Sequence, residues 1–172
     1  MQEHLITNED CTQCKYCCKF LASELDTIKL LFTKEDVEYA KELLPSAEFV
    51  KTGDVFLLSF LPPAESLTPE SSAKPQLYVC PFLDPATGCV LGTRKPFVCG
   101  LWPFCVMKHD SGIAITLAND CPAANKKSMK ELTAFADDIT PFVEKTLRKH
   151  PGLHWDFNDD YLIIKKDVDC KK

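Results

Sequence analysis

The chain has 172 residues, ten of them cysteine and 45% hydrophobic, with a formal net charge of −5. That length suits one domain, and that apolar content builds a core, which excludes disorder of the whole chain. The acidic balance argues against a nucleic-acid partner, whose phosphates select clustered Lys and Arg.

Cys11, Cys14, Cys17 and Cys18 form a first knot. After it, Leu21, Leu25, Ile28, Leu31 and Phe32 recur at three- and four-residue steps and predict a helix. Thr33 with Asp36 reads as a capping box, opening a helix that carries Val37, Ala40 and Leu44 on one face and stops at Pro45. Residues 47–60 read as a strand hairpin around Thr52-Gly53-Asp54. Residues 61–76 hold Pro62, Pro63, Pro69 and Pro75 and read as a mobile loop. Leu77-Tyr78-Val79 predicts a strand leading into Cys80, followed by a turn over Asp84–Gly88 and then Cys89. Pro96 suits the first position of a short helix bearing Cys99, which Pro103 ends. A hairpin turning at residues 109–112 follows, with Ile113, Ile115 and Leu117 alternating on its return strand. Ser128 and Glu131 form a second capping box. The helix it opens has Leu132, Phe135, Ala136, Ile139, Phe142, Val143 and Leu147 as its apolar stripe, reaching about His150. Pro141 inside it predicts a kink or two shorter helices. Pro151-Gly152 ends it, and Tyr161–Ile164 predicts a last strand. The class expected is α+β, a small domain with irregular cysteine-bearing loops and a C-terminal helix.

Compartment decides how the cysteines are read. No apolar run approaches the roughly 18–20 residues of a membrane span. The first ten residues have neither a basic head nor an apolar stretch, so no export signal is expected. The expectation is a cytoplasmic chain with reduced thiols, where ten cysteines point to metal rather than disulfides. In Cys11-x2-Cys14-x2-Cys17 each two-residue gap aims two thiolates at one centre from a tight turn. Three in succession is the iron–sulfur form, in which a cysteine followed by proline often supplies the fourth corner. Cys80-Pro81 and Cys121-Pro122 both meet that condition. Cys18 adjoins Cys17, so it faces the same ion, a second one, or none. The wider spacing of Cys80, Cys89 and Cys99 leaves metal ligands and scattered core cysteines both open.

Cys11-x2-Cys14-x2-Cys17-Cys18, then Cys80-Pro81-Phe82-Leu83, Cys89-Val90 and the run Lys95 to Pro103 around Cys99, resembles the YkgJ-type CxxCxxCC family. That family is described as a zinc- or iron-chelating domain, related to a domain of flagellin lysine N-methylases. The resemblance spans residues 11–122 and implies Cys11, Cys14, Cys17, Cys18, Cys80, Cys89, Cys99 and Cys121 as metal ligands. It divides the single domain, 1–172, into a metal-binding core, 11–122, and a helical C-terminal part, 123–172. Gly92, Lys95 and Gly100 depart from the pattern, which carries an aromatic residue at the first position and Arg at the other two. Cys105 and Cys170 fall outside it, Cys105 as a core residue and Cys170 as a disordered tail thiol.

Between residues 74 and 109, Lys74, Arg94, Lys95 and Lys108 face only Asp84, a local excess of three positive charges. Four thiolates around a doubly charged centre leave two net negative charges, which nearby cations make less costly to bury. His4, His109, His150 and His154 form no H-E-x-x-H motif and read as solvent-facing, as do the pairs Asp137-Asp138 and Asp159-Asp160. The six glycines make no G-x-G-x-x-G or Walker loop, and no G-x-S-x-G is present. Three functions remain. The chain holds an iron–sulfur cluster, [4Fe–4S], in a structural or electron-transfer role; it is a zinc-stapled interaction module; or it is a metal-dependent methyl-transfer component, which the resemblance alone suggests. The first is favoured, with a protein or redox partner, no nucleic acid and no membrane.

Overall fold

The computed structural model describes Leu5, Cys14 and residues 16–25, 27–60, 77–110 and 112–170. Helices α1 (Lys34–Leu43), α2 (Phe97–Leu101) and α3 (Met129–Lys149) combine with ten short strands into an α+β fold. The strands are β1 (Lys19–Leu21), β2 (Leu31–Phe32), β3 (Phe49–Thr52), β4 (Val55–Leu58), β5 (Leu77–Val79), β6 (Leu83–Asp84), β7 (Gly88–Cys89), β8 (Phe104–His109), β9 (Gly112–Leu117) and β10 (Leu162–Lys165). They form four small antiparallel sheets: β1-β5, β2-β4-β3, β6-β7 and β10-β9-β8. The loop expected at 61–76 lies outside the described residues. No helix among the described residues is long and apolar enough to cross a membrane.

Both capping boxes form. Thr33 Oγ1 accepts from the Asp36 N–H at 3.1 Å, and the Asp36 carboxylate accepts from the Thr33 N–H at 2.9 Å. At α3, Ser128 Oγ accepts from the Glu131 N–H, and the Glu131 carboxylate accepts from both the Ser128 hydroxyl at 2.7 Å and its N–H at 2.8 Å. Those hydrogen bonds, the side-chain one first, hold the Glu131 carboxyl below the usual glutamate range. Its lowered folded-state pKa means the cap stabilises above the unfolded pKa and fades as pH falls through the folded one. Ser128→Ala is expected to remove about 1 kcal/mol at neutral pH. The gap between wild type and variant, measured by urea unfolding, should narrow in acid.

The helix expected between Leu21 and Phe32 does not form. Residues 19–21 give their backbone to β5, with Lys19 opposite Val79 and Leu21 opposite Leu77. Leu31 and Phe32 pair with Leu57 and Phe56 of β4. Between them Glu24 organises a turn, its carboxylate accepting from the Leu21 N–H and its carbonyl from the Thr27 and Ile28 N–H groups. An apolar spacing with no helix cap yields to strand pairing that satisfies the same amides and buries Phe20 and Phe32.

The hairpins sit where turn chemistry put them. Gly53 takes φ +64° between Thr52 and Val55, which face each other. In the β6-β7 turn the Asp84 carboxylate accepts from the Ala86 and Thr87 N–H groups, and Gly88 takes φ +87°. The β8-β9 hairpin closes with His109 opposite Gly112 and Asp110 at φ +49°. Alternation on β9 gives way to a run buried from Ala114 to Leu117, because β9 is the middle strand and is covered on both faces. Thr116 meets burial by donating its hydroxyl to the Cys105 carbonyl at 3.2 Å.

α3 is one helix rather than two. Pro141 gives no N–H to the Asp137 carbonyl, but both residues lie on the exposed face, where water replaces the lost bond. The opposite face buries Leu132, Ala136, Ile139, Val143 and Leu147 with β8, β9, Leu153 and Trp155 in the larger of two apolar clusters. The smaller cluster gathers Phe20, Leu30, Phe32, Ala40, Ala47, Leu58, Phe82 and Leu91. Each Val, Leu, Ile or Phe among them contributes about 1.5–3 kcal/mol of transfer free energy. Cys170 packs against the larger cluster instead of trailing as a loose tail. His109, His150 and His154 are half-buried rather than solvent-facing. His109 rests edge-on against Phe157 at 4.7 Å, and His154 Nδ1 lies 3.2 Å from the Trp155 carbonyl. His4 lies outside the described residues.

Gly152, just past α3, abuts the β3-β4 turn. Its N–H reaches both carboxylate oxygens of Asp54, at 3.2 and 3.3 Å. A Cβ there would stand 2.6 Å from Asp54 Oδ1 and 3.2 Å from Val55 Cγ2. Gly152→Ala is therefore expected to displace Asp54 and cost about 1–3 kcal/mol, read as a lower denaturation midpoint at unchanged m.

Candidate metal centre

Three chain segments deliver cysteines to one cavity. Cys17 and Cys18 close a tight turn, Tyr16–Cys18, that runs directly into β1. Cys80 follows β5, and its N–H donates to the Cys18 carbonyl at 2.8 Å. Cys89 ends β7 opposite Leu83, and its carbonyl accepts from the Gly92 N–H at 3.1 Å. Cys99 is the central residue of α2, which forms where expected, although Pro96 is its N-cap rather than its first residue. All five line a cavity of about 390 Å³ where the two apolar clusters meet.

The rest of the wall is mostly apolar. Phe20, Phe32 and Phe82 come from the smaller cluster, and Trp155 and Trp102 from the side of the larger. Among the described residues, Lys95 is the one cationic residue of the lining, and no acidic residue lines it. Arg94 turns away, its guanidinium 3.7 Å from the centroid of the Tyr39 ring, so of the two basic residues only Lys95 joins the cavity wall. Gly92 and Gly100 also lie in the wall. All three positions that depart from the CxxCxxCC pattern thus border this one cavity.

The thiols act on one another. Hydrogen bonds from Cys17 and from Cys80 hold the Cys18 thiol far below the ordinary cysteine range, with help from the charge of Lys95. Cys80 is pushed up, first because it gives its proton to Cys18 and then because it is buried. Burial, followed by the neighbouring Cys18 charge, pushes Cys99 up, and burial is also the main cause of the rise at Cys89. Of Cys18, Cys80, Cys89 and Cys99, Cys18 is thus the one favoured to carry the charge.

The other cysteines are placed differently. Cys14 is exposed, on the chain just ahead of the Cys17 turn. Cys11 lies outside the described residues. Cys121 is buried in the larger cluster and is not part of the cavity wall, although its Cys-Pro step marked it alongside Cys80. Cys105 is core, as expected, and burial pushes its thiol up. None of the nine described cysteines is in a disulfide. Among the described residues, no three His, Cys, Asp or Glu side chains are already set around a point where an ion would sit.

Searches against protein-family models, curated proteins and solved structures found no match to this chain. The chemistry of the cavity therefore rests on its own donor set. Soft thiolates select zinc, cuprous ion and iron–sulfur clusters, and the five sulfurs are donors of that type, although no three of them are already set around an ion position among the described residues. Sequence spacing missed Trp155, which lines the cavity from 56 residues beyond Cys99 in the chain. Its one signal was a large aromatic in an otherwise polar stretch. Its indole N–H donates to the Lys29 carbonyl at 2.7 Å, tying the C-terminal segment to the wall that carries Ile28 and Leu30.

Proposed function

We propose that the chain is a metal-binding cysteine-cluster protein whose cavity holds an iron–sulfur cluster in a structural or electron-transfer role. One observation carries this reading: Cys17, Cys18, Cys80, Cys89 and Cys99, from segments far apart in sequence, line a single largely apolar cavity beside Lys95. A buried multi-thiolate centre keeps net negative charge, and a lone lysine in an acid-free wall offsets it. The cavity volume, about 390 Å³, favours a multi-atom guest over a bare ion. Cys17, Cys18, Cys80, Cys89 and Cys99 would supply the ligands, with Cys14 and Cys11 on the adjoining loop as further donors. When bound, the cluster would supply a one-electron carrier or a rigid cross-link, and the apolar wall would keep water from it. The resemblance to the CxxCxxCC family implies the same donors with Cys121 in addition, and a metal-binding reading goes with a reducing compartment such as the cytoplasm.

Zinc is the second reading. The proximity of Cys18 to both Cys17 and Cys80 supports it, because a tetrahedral zinc ion is commonly held by four thiolates. Anaerobic purification followed by an absorption spectrum and Fe, Zn and acid-labile sulfide analysis separates the two. A brown protein with about four Fe and four sulfide per chain is expected. A colourless protein with one or two Zn would establish the zinc reading instead. Neither metal at stoichiometric level, even after reconstitution, would overturn both.

A further inference from the structure

We infer that Cys18 and Cys80 are a redox-modification site, joined as a disulfide when a hydroperoxide reaches the cavity. β1 and β5 run antiparallel with Lys19 opposite Val79, so one step outward on each strand sets Cys18 directly opposite Cys80. The 2.8 Å bond from the Cys80 N–H to the Cys18 carbonyl is one of the two that join a hydrogen-bonded cross-strand pair. Such pairs hold their Cα atoms about 5.5 Å apart, inside the ~4.4–6.8 Å that a disulfide spans. Directly opposed side chains project to one face of a ladder, and here both residues line the same cavity.

The remaining cysteines of the wall lack that arrangement. Cys89 faces Leu83 across its own ladder, and Cys99 sits within α2. Cys17 and Cys18 are chain neighbours, and a bond between them would have to close a ring across one peptide unit. Cys18 is half-buried, whereas Cys80 is only 7% exposed. The oxidant therefore meets Cys18 first. The Cys18 thiolate attacks one peroxide oxygen, an S–O bond forms, the O–O bond breaks and hydroxide leaves to take up a proton as water. The Cys80 thiolate then attacks the sulfenic sulfur; the S–S bond forms and the second oxygen departs as water. Two thiols lose two electrons and two protons in total, and one peroxide is reduced to two waters. The product withdraws two of the five cavity sulfurs. Release of a bound metal follows from that, and this consequence alone rests on the metal-binding reading.

The test starts from metal-free, fully reduced protein treated with stoichiometric hydrogen peroxide, then alkylated and mapped by fragmentation mass spectrometry. The expected product is lighter by two hydrogens, has Cys18 linked to Cys80, and is restored by dithiothreitol. In Cys80→Ser a sulfenic acid should persist at Cys18, trapped by dimedone. In Cys18→Ser, oxidation of Cys80 should slow at least ~10-fold. A Cys17–Cys18 or Cys89–Cys99 linkage as the main product, or an unchanged thiol count, would overturn the proposal. The wild-type map stands whether or not the serine variants fold. A second arm treats metal-loaded protein. Metal lost in step with the disulfide supports the regulatory consequence, and a disulfide formed with metal retained refutes it. Failure to load any metal removes the metal reading while leaving the mapped disulfide intact.

Discussion

Trp155→Ala is expected to cost about 3–5 kcal/mol of folding stability, a large share of the roughly 5–15 kcal/mol a domain this size possesses. Trp155 is 5% exposed and joins three parts of the fold. Its backbone extends the β8 edge, its N–H donating to the Val106 carbonyl and its carbonyl accepting from the Lys108 N–H, both at 2.9 Å. The indole ring packs in the larger cluster, edge-on to Tyr161 at 6.4 Å, and also borders the cavity. The indole N–H meets the Lys29 carbonyl, which Trp155→Ala leaves without that donor. Trp155→Phe separates the contributions: it keeps most of the buried ring and removes the hydrogen bond, so about 1–3 kcal/mol should be lost. Urea unfolding followed by circular dichroism measures both. Equal losses in the two variants would show that the hydrogen bond, not the packing, dominates.

What could be read from the chain was local. The boxes at Thr33 and Ser128, the stripe of α3 except for Phe142, which is 54% exposed, and the turns at Gly53, Asp84–Gly88 and Asp110 are written in neighbouring residues and formed where their chemistry placed them. The misreadings share a cause. Leu21 to Phe32 has helical spacing, yet the partners that decide its state, β5 and β4, lie 24 or more residues away. Burial on β9 depended on two flanking strands, one of them near the C-terminus. Pro141 looked like a break because sequence does not show that it falls on the face open to water.

The candidate site was legible in part for the same reason. Cys17 and Cys18 declared themselves by spacing. Cys89 and Cys99 did not, and only strand pairing and the α2 turn bring them to the same wall. Cys121 had the better local signal, its following proline, and yet it packs in the larger cluster. Lys95 and Arg94 were indistinguishable as neighbouring cations until Tyr39 claimed one of them.

Withdrawing metal from the loaded protein is expected to loosen the smaller cluster while α3, β8 and β9 stay folded. The five cavity cysteines span residues 17 to 99, and Phe20, Leu30, Phe32, Phe82 and Leu91 of that region belong to the smaller cluster and line the same wall. A centre held by those cysteines ties together the β1-β5 ladder, the β6-β7 hairpin and α2, none of which has a core of its own. Binding free energy then becomes folding free energy, on the order of 10 kcal/mol for structural zinc in small peptides. The larger cluster has another source of cohesion: α3 packed on a three-stranded sheet, with none of its helix residues in the cavity wall. Hydrogen exchange on metal-loaded and chelated protein should show amide protection in residues 17–21 and 77–92 falling about 100-fold or more, which corresponds to about 2.7 kcal/mol. Protection in 104–117 and 132–147 should change little. The order matters, because a protein that melted as one unit would lose protection everywhere together. Identical exchange with and without metal would mean that the thiols are held by the apolar packing alone, and that any metal they take is a passenger on a fold already complete.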